Sequence, residues 1–175
     1  AAHANQLSSN PAFLSVAGDS AGGTIGAALA LRARDENGPK LHAQISFYGF
    51  EYPSSPTPSS IEFKNGPIIT EDDTQYFWRQ YLQDTEATRT NPYAVPACAQ
   101  NHAGLPPAFI CSPECDPGRD RTETYGEILA AAGVDTTVRR YAGMTHAFVS
   151  WVAWLPAAQS AVSETAAWLK KLPAR

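Results

Sequence analysis

Ser20 lies within Gly18-Asp19-Ser20-Ala21-Gly22-Gly23, between the apolar run Phe13 to Ala17 and a segment of helical character from Ala21 to Arg34. A serine on a sharp strand-to-helix turn projects its Oγ outward, and so strained a turn calls for small neighbours, here Gly18 and Gly22. The first turn of the helix would present N–H groups that lack intrahelical acceptors, Ala21 first among them, together with the positive end of the helix dipole. These are the parts needed to attack a carbonyl carbon and to stabilise the oxyanion that results. Because Gly-x-Ser-x-Gly also arises by chance, a base and an orienting acid must be found elsewhere in the chain. Both follow Ser20, in the order serine, acid, histidine. Asp116 stands just after the apolar run Ala108 to Ser112, and His146 just after Thr136 to Tyr141. Glu114 and Asp120 compete with Asp116 for the acid, although Asp120 is also placed to cap the helix that follows. His42 and His102 read instead as solvated loop or strand-edge residues.

The elements that must position these groups alternate between strand and helix, which predicts an α/β fold with a mostly parallel sheet. Four strands are read at Phe13 to Ala17, Ala43 to Tyr48, Ala108 to Ser112 and Thr136 to Tyr141. In a parallel sheet their carboxyl ends share one edge, so Ser20, Asp116 and His146 can converge there. Four helices accompany them. The first repeats Ile25, Ala28, Leu29 and Arg32 at helical spacing and stops at Asn37-Gly38-Pro39. The second starts at Thr70, with Asp73 completing a capping box, and carries Phe77, Trp78, Tyr81 and Leu82. The third follows Tyr125, Ile128, Leu129 and Ala132 up to Gly133, and the last places Val162, Thr165, Ala166 and Leu169 inward. Glu51 to Gly66, rich in Pro and Ser, reads as a surface excursion. The aromatic residues of the second helix read mainly as core. Phe50, Trp78 and Trp151 are candidates for lining a substrate pocket.

A chain of 175 residues, 43% hydrophobic, suits one globular domain. Its net charge of −4, with no basic stripe, argues against nucleic acid as a partner and for a small molecule. Ala147 to Val162 is interrupted by Ser150, Pro156 and Gln159, so no membrane span is expected. No signal peptide is recognised at Ala1, and three cysteines, an odd number, suit a reducing, cytoplasmic setting. Cys98, His102, Cys111 and Cys115 do not have the spacing of a zinc site and read as idle or buried thiols, so no metal and no cofactor are expected. Two other chemistries do not fit the order of residues. A chymotrypsin-like protease places its histidine before the serine, where only His3 stands, and a phosphate loop would carry lysine after Gly23, where the chain has Thr24.

The segments Gly18 to Gly23, Asp116-Pro117-Gly118-Arg119-Asp120 and Arg139 to Phe148 resemble those of the hormone-sensitive-lipase-like carboxylesterases, α/β-hydrolases with a G-D-S-A-G elbow. Phe77 to Leu82 and Asn91 to Ala94 are similar to that family as well. The resemblance implies Ser20 as nucleophile, His146 as general base and then acid, Asp116 as its partner, Ala21 N–H in the oxyanion hole, and a small, short-acyl ester as substrate. Gly118 replaces the family's leucine and Ala147 its glycine. The family's His-Gly-Gly-Gly oxyanion loop lies well upstream of the serine, and only nineteen residues precede Ser20 here. Residues 1–175 are therefore expected to be the C-terminal half of one hydrolase domain. Its first strands, oxyanion loop and cap would lie elsewhere, so a complementary segment or self-association becomes a potential partner. The alternative is a non-catalytic α/β-hydrolase relative that binds or regulates, or an inactive portion of an esterase.

Overall fold

The computed structural model describes residues 10–49, 51–83 and 85–173, together with His3 and Gln6. In chain order the regular elements are β1 (Ser15–Asp19), α1 (Ala21–Asp35), β2 (Ala43–Phe47), α2 (Pro58–Glu62), α3 (Glu71–Leu82) and α4 (Glu86–Arg89). They are followed by β3 (Ala108–Cys115), α5 (Arg119–Ala131), β4 (Thr136–Thr145) and α6 (Pro156–Lys171). The strands form one sheet in the order β1-β2-β3-β4, every neighbouring pair parallel. Because each crossover returns the chain to the same end of the sheet, all four strands finish at one edge. The residues that directly follow them are Ser20, Tyr48, Asp116 and His146.

Strand boundaries differ from the sequence reading where a local signal hid the continuation. Phe13 belongs to a 3-10 turn, Pro11–Phe13, begun by Pro11 and capped by the Asn10 side chain on Ala12 N–H, so β1 starts later. β3 runs on past Ser112 through Pro113, and its register with β4 slips between Pro113 and Cys115, because proline has no N–H to give a neighbouring strand. β4 runs on past Tyr141, where the sequence reading ended it, through Ala142-Gly143 to Thr145. Gly143 adopts a left-handed φ of 68°, and its N–H donates to Glu114 Oε2 at 2.7 Å.

Helices cover both faces of the sheet. On one side α1 and α5 pack through Ala27, Ala30, Leu31, Tyr125 and Leu129 against Ala108 and Ile110. On the other, α6 packs through Ala158 and Ala161 against Phe109, Cys111, Tyr141 and Phe148. Successive β3 residues thus alternate between the two cores, as strand geometry requires. Two helical faces differ from expectation. In α1 the buried positions are Gly23, Gly26, Ala27, Ala28, Ala30 and Leu31, while Ile25 and Leu29 are half exposed and Arg32 faces solvent. Small residues let α1 lie close to the sheet, so its larger aliphatic residues turn away from it. In α6 the inward residues are Ala158, Ala161 and Thr165, with Leu169 partly buried, and Val162 and Ala166 are exposed.

The segment read as a surface excursion is anchored instead. Ser59 is fully buried in α2, its Oγ donating to Pro117 O and its N–H to Asp120 Oδ2 at 2.7 Å. Asp120 therefore does not cap α5, whose N-cap position is Gly118. Arg121 makes a two-pronged ion pair with Glu71 at 2.8 and 2.9 Å, both groups largely buried, and so ties the start of α3 to α5. Thr70 and Asp73 form the expected capping box of α3. His42 and His102 are buried rather than solvated. His102 Nε2 bonds Pro96 O at 2.9 Å, and His42 packs edge-on against Phe13.

Candidate active site

Ser20 closes β1 and opens α1, with φ 50° and ψ −124°, a conformation rare for a residue with a side chain. Two backbone hydrogen bonds hold it there, Ser20 N–H to Phe47 O at 2.8 Å and Gly23 N–H to Ser20 O at 3.0 Å. The turn is so tight that a Cβ on Gly18 would lie 2.2 Å from the carbonyl carbon and oxygen of Gly22. Gly22 itself has open space where its Cβ would be. The sequence reading gave both glycines the same task, whereas the crowding falls on Gly18.

Asp116 leaves β3 with its carboxylate 1% exposed. Oδ1 accepts from Gly118 N–H at 2.7 Å, which fixes the carboxylate plane and turns Oδ2 toward His146 Nδ1, also at 2.7 Å. His146 leaves β4, and its Nε2 lies 2.9 Å from Ser20 Oγ. With Nδ1–H donating to the carboxylate, Nε2 carries the lone pair that faces the serine hydroxyl. Three residues read from the chain as nucleophile, acid and base thus form one continuous hydrogen-bonded row. Ala147, which follows the histidine, has φ 62°. That is a conformation glycine adopts freely, and it gives a physical reason for glycine to be the usual residue at this position. Glu114, the competing acid, is engaged by Gly143 N–H, and Asp120 by Ser59 and Arg119.

A cavity of about 360 Å³ opens beside Ser20. Ser20 and Ala21 form its floor, Thr24 and Ile25 of α1 one wall, and Phe77, Trp78 and Tyr81 of α3 the other. None of these residues is charged. Phe77 and Tyr81 are half exposed and belong to this wall rather than to the core, whereas Trp78 is buried and meets Tyr52 edge-on. Trp151 is not among the lining residues and lies in the 3-10 turn Phe148–Trp151. Phe50 lies outside the described residues. Thr24 and Ile25 were not foreseen as a wall, although their spacing of three and four from Ala21 is the signal that puts them on the helix face beside Ser20.

Among the described residues no cluster of three or more His, Cys, Asp or Glu side chains is placed to hold a metal, and no helix is long and apolar enough to cross a membrane. Cys98, Cys111 and Cys115 are free thiols, and burial pushes that of Cys111 up.

A parallel sheet covered by helices on both faces, with a serine elbow at its carboxyl edge, is the architecture of an α/β-hydrolase. Residues 1–150 match the family described as alpha/beta hydrolase fold, and the chain belongs to that family. It is 37% identical over 163 residues to Esterase LipI of Mycobacterium tuberculosis, an alignment covering 93% of this chain and 51% of that protein. Carboxylesterase NlhH of the same species is also 37% identical, over 97% of this chain and 54% of its own length. Among solved structures, EstE1, a thermostable carboxylesterase from a metagenomic library, superposes with a TM-score of 0.88 at 32% identity, over 96% of this chain and 57% of that one. A Pyrobaculum calidifontis esterase gives 0.86 at 36%, over 95% and 54%. The chain spans about half the length of the curated relatives it matches.

Proposed function

We propose that this chain carries the nucleophile, the base, the acid and one oxyanion donor of a serine carboxylesterase acting on small, uncharged, short-acyl esters. The observation that carries the reading is the row from Ser20 Oγ through His146 to Asp116, at 2.9 and 2.7 Å, starting from a strained elbow. In the reaction Ser20 Oγ attacks the ester carbonyl as His146 Nε2 takes its proton. Asp116 stabilises the imidazolium that forms. Ala21, first residue of α1, has no intrahelical acceptor for its N–H, which turns to the developing oxyanion with the helix dipole behind it. The tetrahedral intermediate collapses, and the alkoxide leaves with the proton from Nε2. Water, deprotonated by the same nitrogen, then releases the acid and restores Ser20. The uncharged cavity favours a neutral acyl or alcohol group over an ionised one, because a charge there would lose its hydration without gaining a partner.

We further propose that residues 1–175 form the C-terminal part of one catalytic domain. Two observations support it: β1 pairs with β2 alone among the described strands, and the relatives align over about half their length. A second oxyanion donor and a cover for the cavity would then come from another segment or a partner chain. Three free thiols fit a reducing compartment, and a net charge of −4 fits a small-molecule ligand rather than nucleic acid. Hydrolysis of p-nitrophenyl acetate and butyrate by the protein and by Ser20→Ala tests the reading. Loss of turnover in the variant is expected, and unchanged turnover would remove Ser20 from the mechanism.

A further inference from the structure

Each of the four strands delivers one residue directly to the carboxyl edge of the sheet, and three of these are Ser20, Asp116 and His146. The fourth is Tyr48, at the end of β2. Its ring centroid lies 4.9 Å from that of His146, the planes inclined at 58°, and its other neighbour is Phe148 at 5.9 Å. Tyr48 is 1% exposed and has φ 45°, a left-handed backbone that a bulky aromatic residue adopts only when its surroundings impose it. Its N–H is held by Cys111 O at 2.7 Å, so the strained backbone is pinned to β3. Three non-glycine residues with left-handed φ therefore meet at the imidazole: Ser20, Tyr48 and Ala147.

We infer that Tyr48 is a positioning residue for His146: its ring sets the plane of the imidazole between Ser20 and Asp116 and stabilises the positive charge the imidazole acquires in each proton transfer. This inference rests on the esterase reading for its role in turnover, but the contact itself does not. The mechanism needs His146, which is almost buried, to become charged away from water, and desolvation opposes that. A cation over the face of an aromatic ring, within about 6 Å of its centroid, regains part of this cost through the ring quadrupole, and the 4.9 Å separation puts the imidazole within that range. The ring acts as a neutral group, since burial and the nearby Asp19 carboxylate push its phenol up to about 12. Its hydroxyl is buried near Ser150 and Val149 and makes no hydrogen bond, and the inference concerns the ring. Other titratable groups around the pair include the Asp116 carboxylate from the end of β3, Asp19 from the end of β1, and Cys111 and Tyr141, which share the packed cluster of Tyr48 and Phe148. Glu114 is turned to Gly143 N–H.

The test follows the His146 ring signals by NMR against pH in the protein and in Tyr48→Phe, Tyr48→Leu and Tyr48→pentafluorophenylalanine. The last keeps nearly the shape of the ring while inverting its quadrupole, so it probes charge stabilisation even where Tyr48→Leu fails to fold. The protonation midpoint is expected to stay put in Tyr48→Phe. In the other two it should fall by about 0.4 to 1.5 pH units, the span of a cation–π contact expressed as a titration shift. The acid limb of kcat/KM should move with it. Midpoints that coincide in all four proteins would overturn the inference. Labelling of Ser20 by an organophosphonate separates the two readings: a labelled protein with unmoved midpoints retains the esterase mechanism and discards Tyr48. Moved midpoints without label retain Tyr48 and discard the esterase mechanism.

Discussion

Replacing Gly18 by alanine places a methyl group 2.2 Å from backbone atoms of Gly22, over an ångström inside ordinary contact distance. Nothing flexible is there to move, since both atoms belong to the first turn of α1. The helix start must shift by about 1 Å or the strand must bend, which by analogy with overpacked cores costs about 1–3 kcal/mol. For a chain of this size that lowers Tm by about 2–12 °C. Ser20 and Ala21 ride on the same turn, and a displacement near 1 Å at a reacting group reduces turnover on the order of 100-fold. Gly22→Ala is the control, because its new methyl enters open space and alanine is favoured over glycine in a helix by about 0.8–1 kcal/mol. Thermal unfolding with p-nitrophenyl ester kinetics on both variants reads the difference. A Gly18→Ala protein as stable and as active as Gly22→Ala would refute the steric account of the elbow.

Other consequences are open to direct measurement. Asp116→Asn keeps the shape but offers an amide N–H to His146 Nδ1 or breaks the bond to Gly118, so kcat should drop by about 10⁴ with the fold retained by circular dichroism. Arg121→Ala leaves Glu71 buried without its partner, and unfolding experiments should show a loss of about 3–5 kcal/mol, much larger than for Arg32→Ala on the exposed face of α1. Glu51 is buried and accepts one N–H, from Ala97, and burial pushes its carboxyl up to about 7 from 4.5. The folded protein then binds the extra proton between those pH values, so this group makes stability fall as pH rises from about 4.5 to 7, by about 3 kcal/mol in all. Glu51→Gln should abolish that component. Tm curves for the two proteins that run parallel from pH 5 to 8 would contradict it.

The convergence of Ser20, Asp116 and His146 in one candidate site was legible because each follows a strand that ends shortly before it. The parallel α/β fold was legible for the same reason, since strand and helix signals alternate along the whole chain. What escaped was governed by packing that a hydrophobic count weighs poorly. α1 buries glycine and alanine and leaves Ile25 and Leu29 half exposed, because its small residues are the ones that face the sheet, while Ile25 lines the cavity. Pro113 and Gly143 look like stops, yet a register slip and a side-chain acceptor carry the strands past them. The aromatic residues of α3 divide between core and cavity wall according to where Arg121 fixes the helix, a contact between distant segments that no local pattern reports. Tyr48 looks like the end of an apolar strand, and only the position of His146 gives its ring a further role.

The central claim, that Ser20 is a nucleophile activated by His146 and Asp116, is tested most directly by mass spectrometry of the folded protein after exposure to a p-nitrophenyl phosphonate. One adduct per chain, mapped to Ser20, absent from Ser20→Ala and much slower to form in Asp116→Asn, is the predicted result. A folded protein that takes up no phosphonate, or one whose adduct persists in Ser20→Ala, would contradict it.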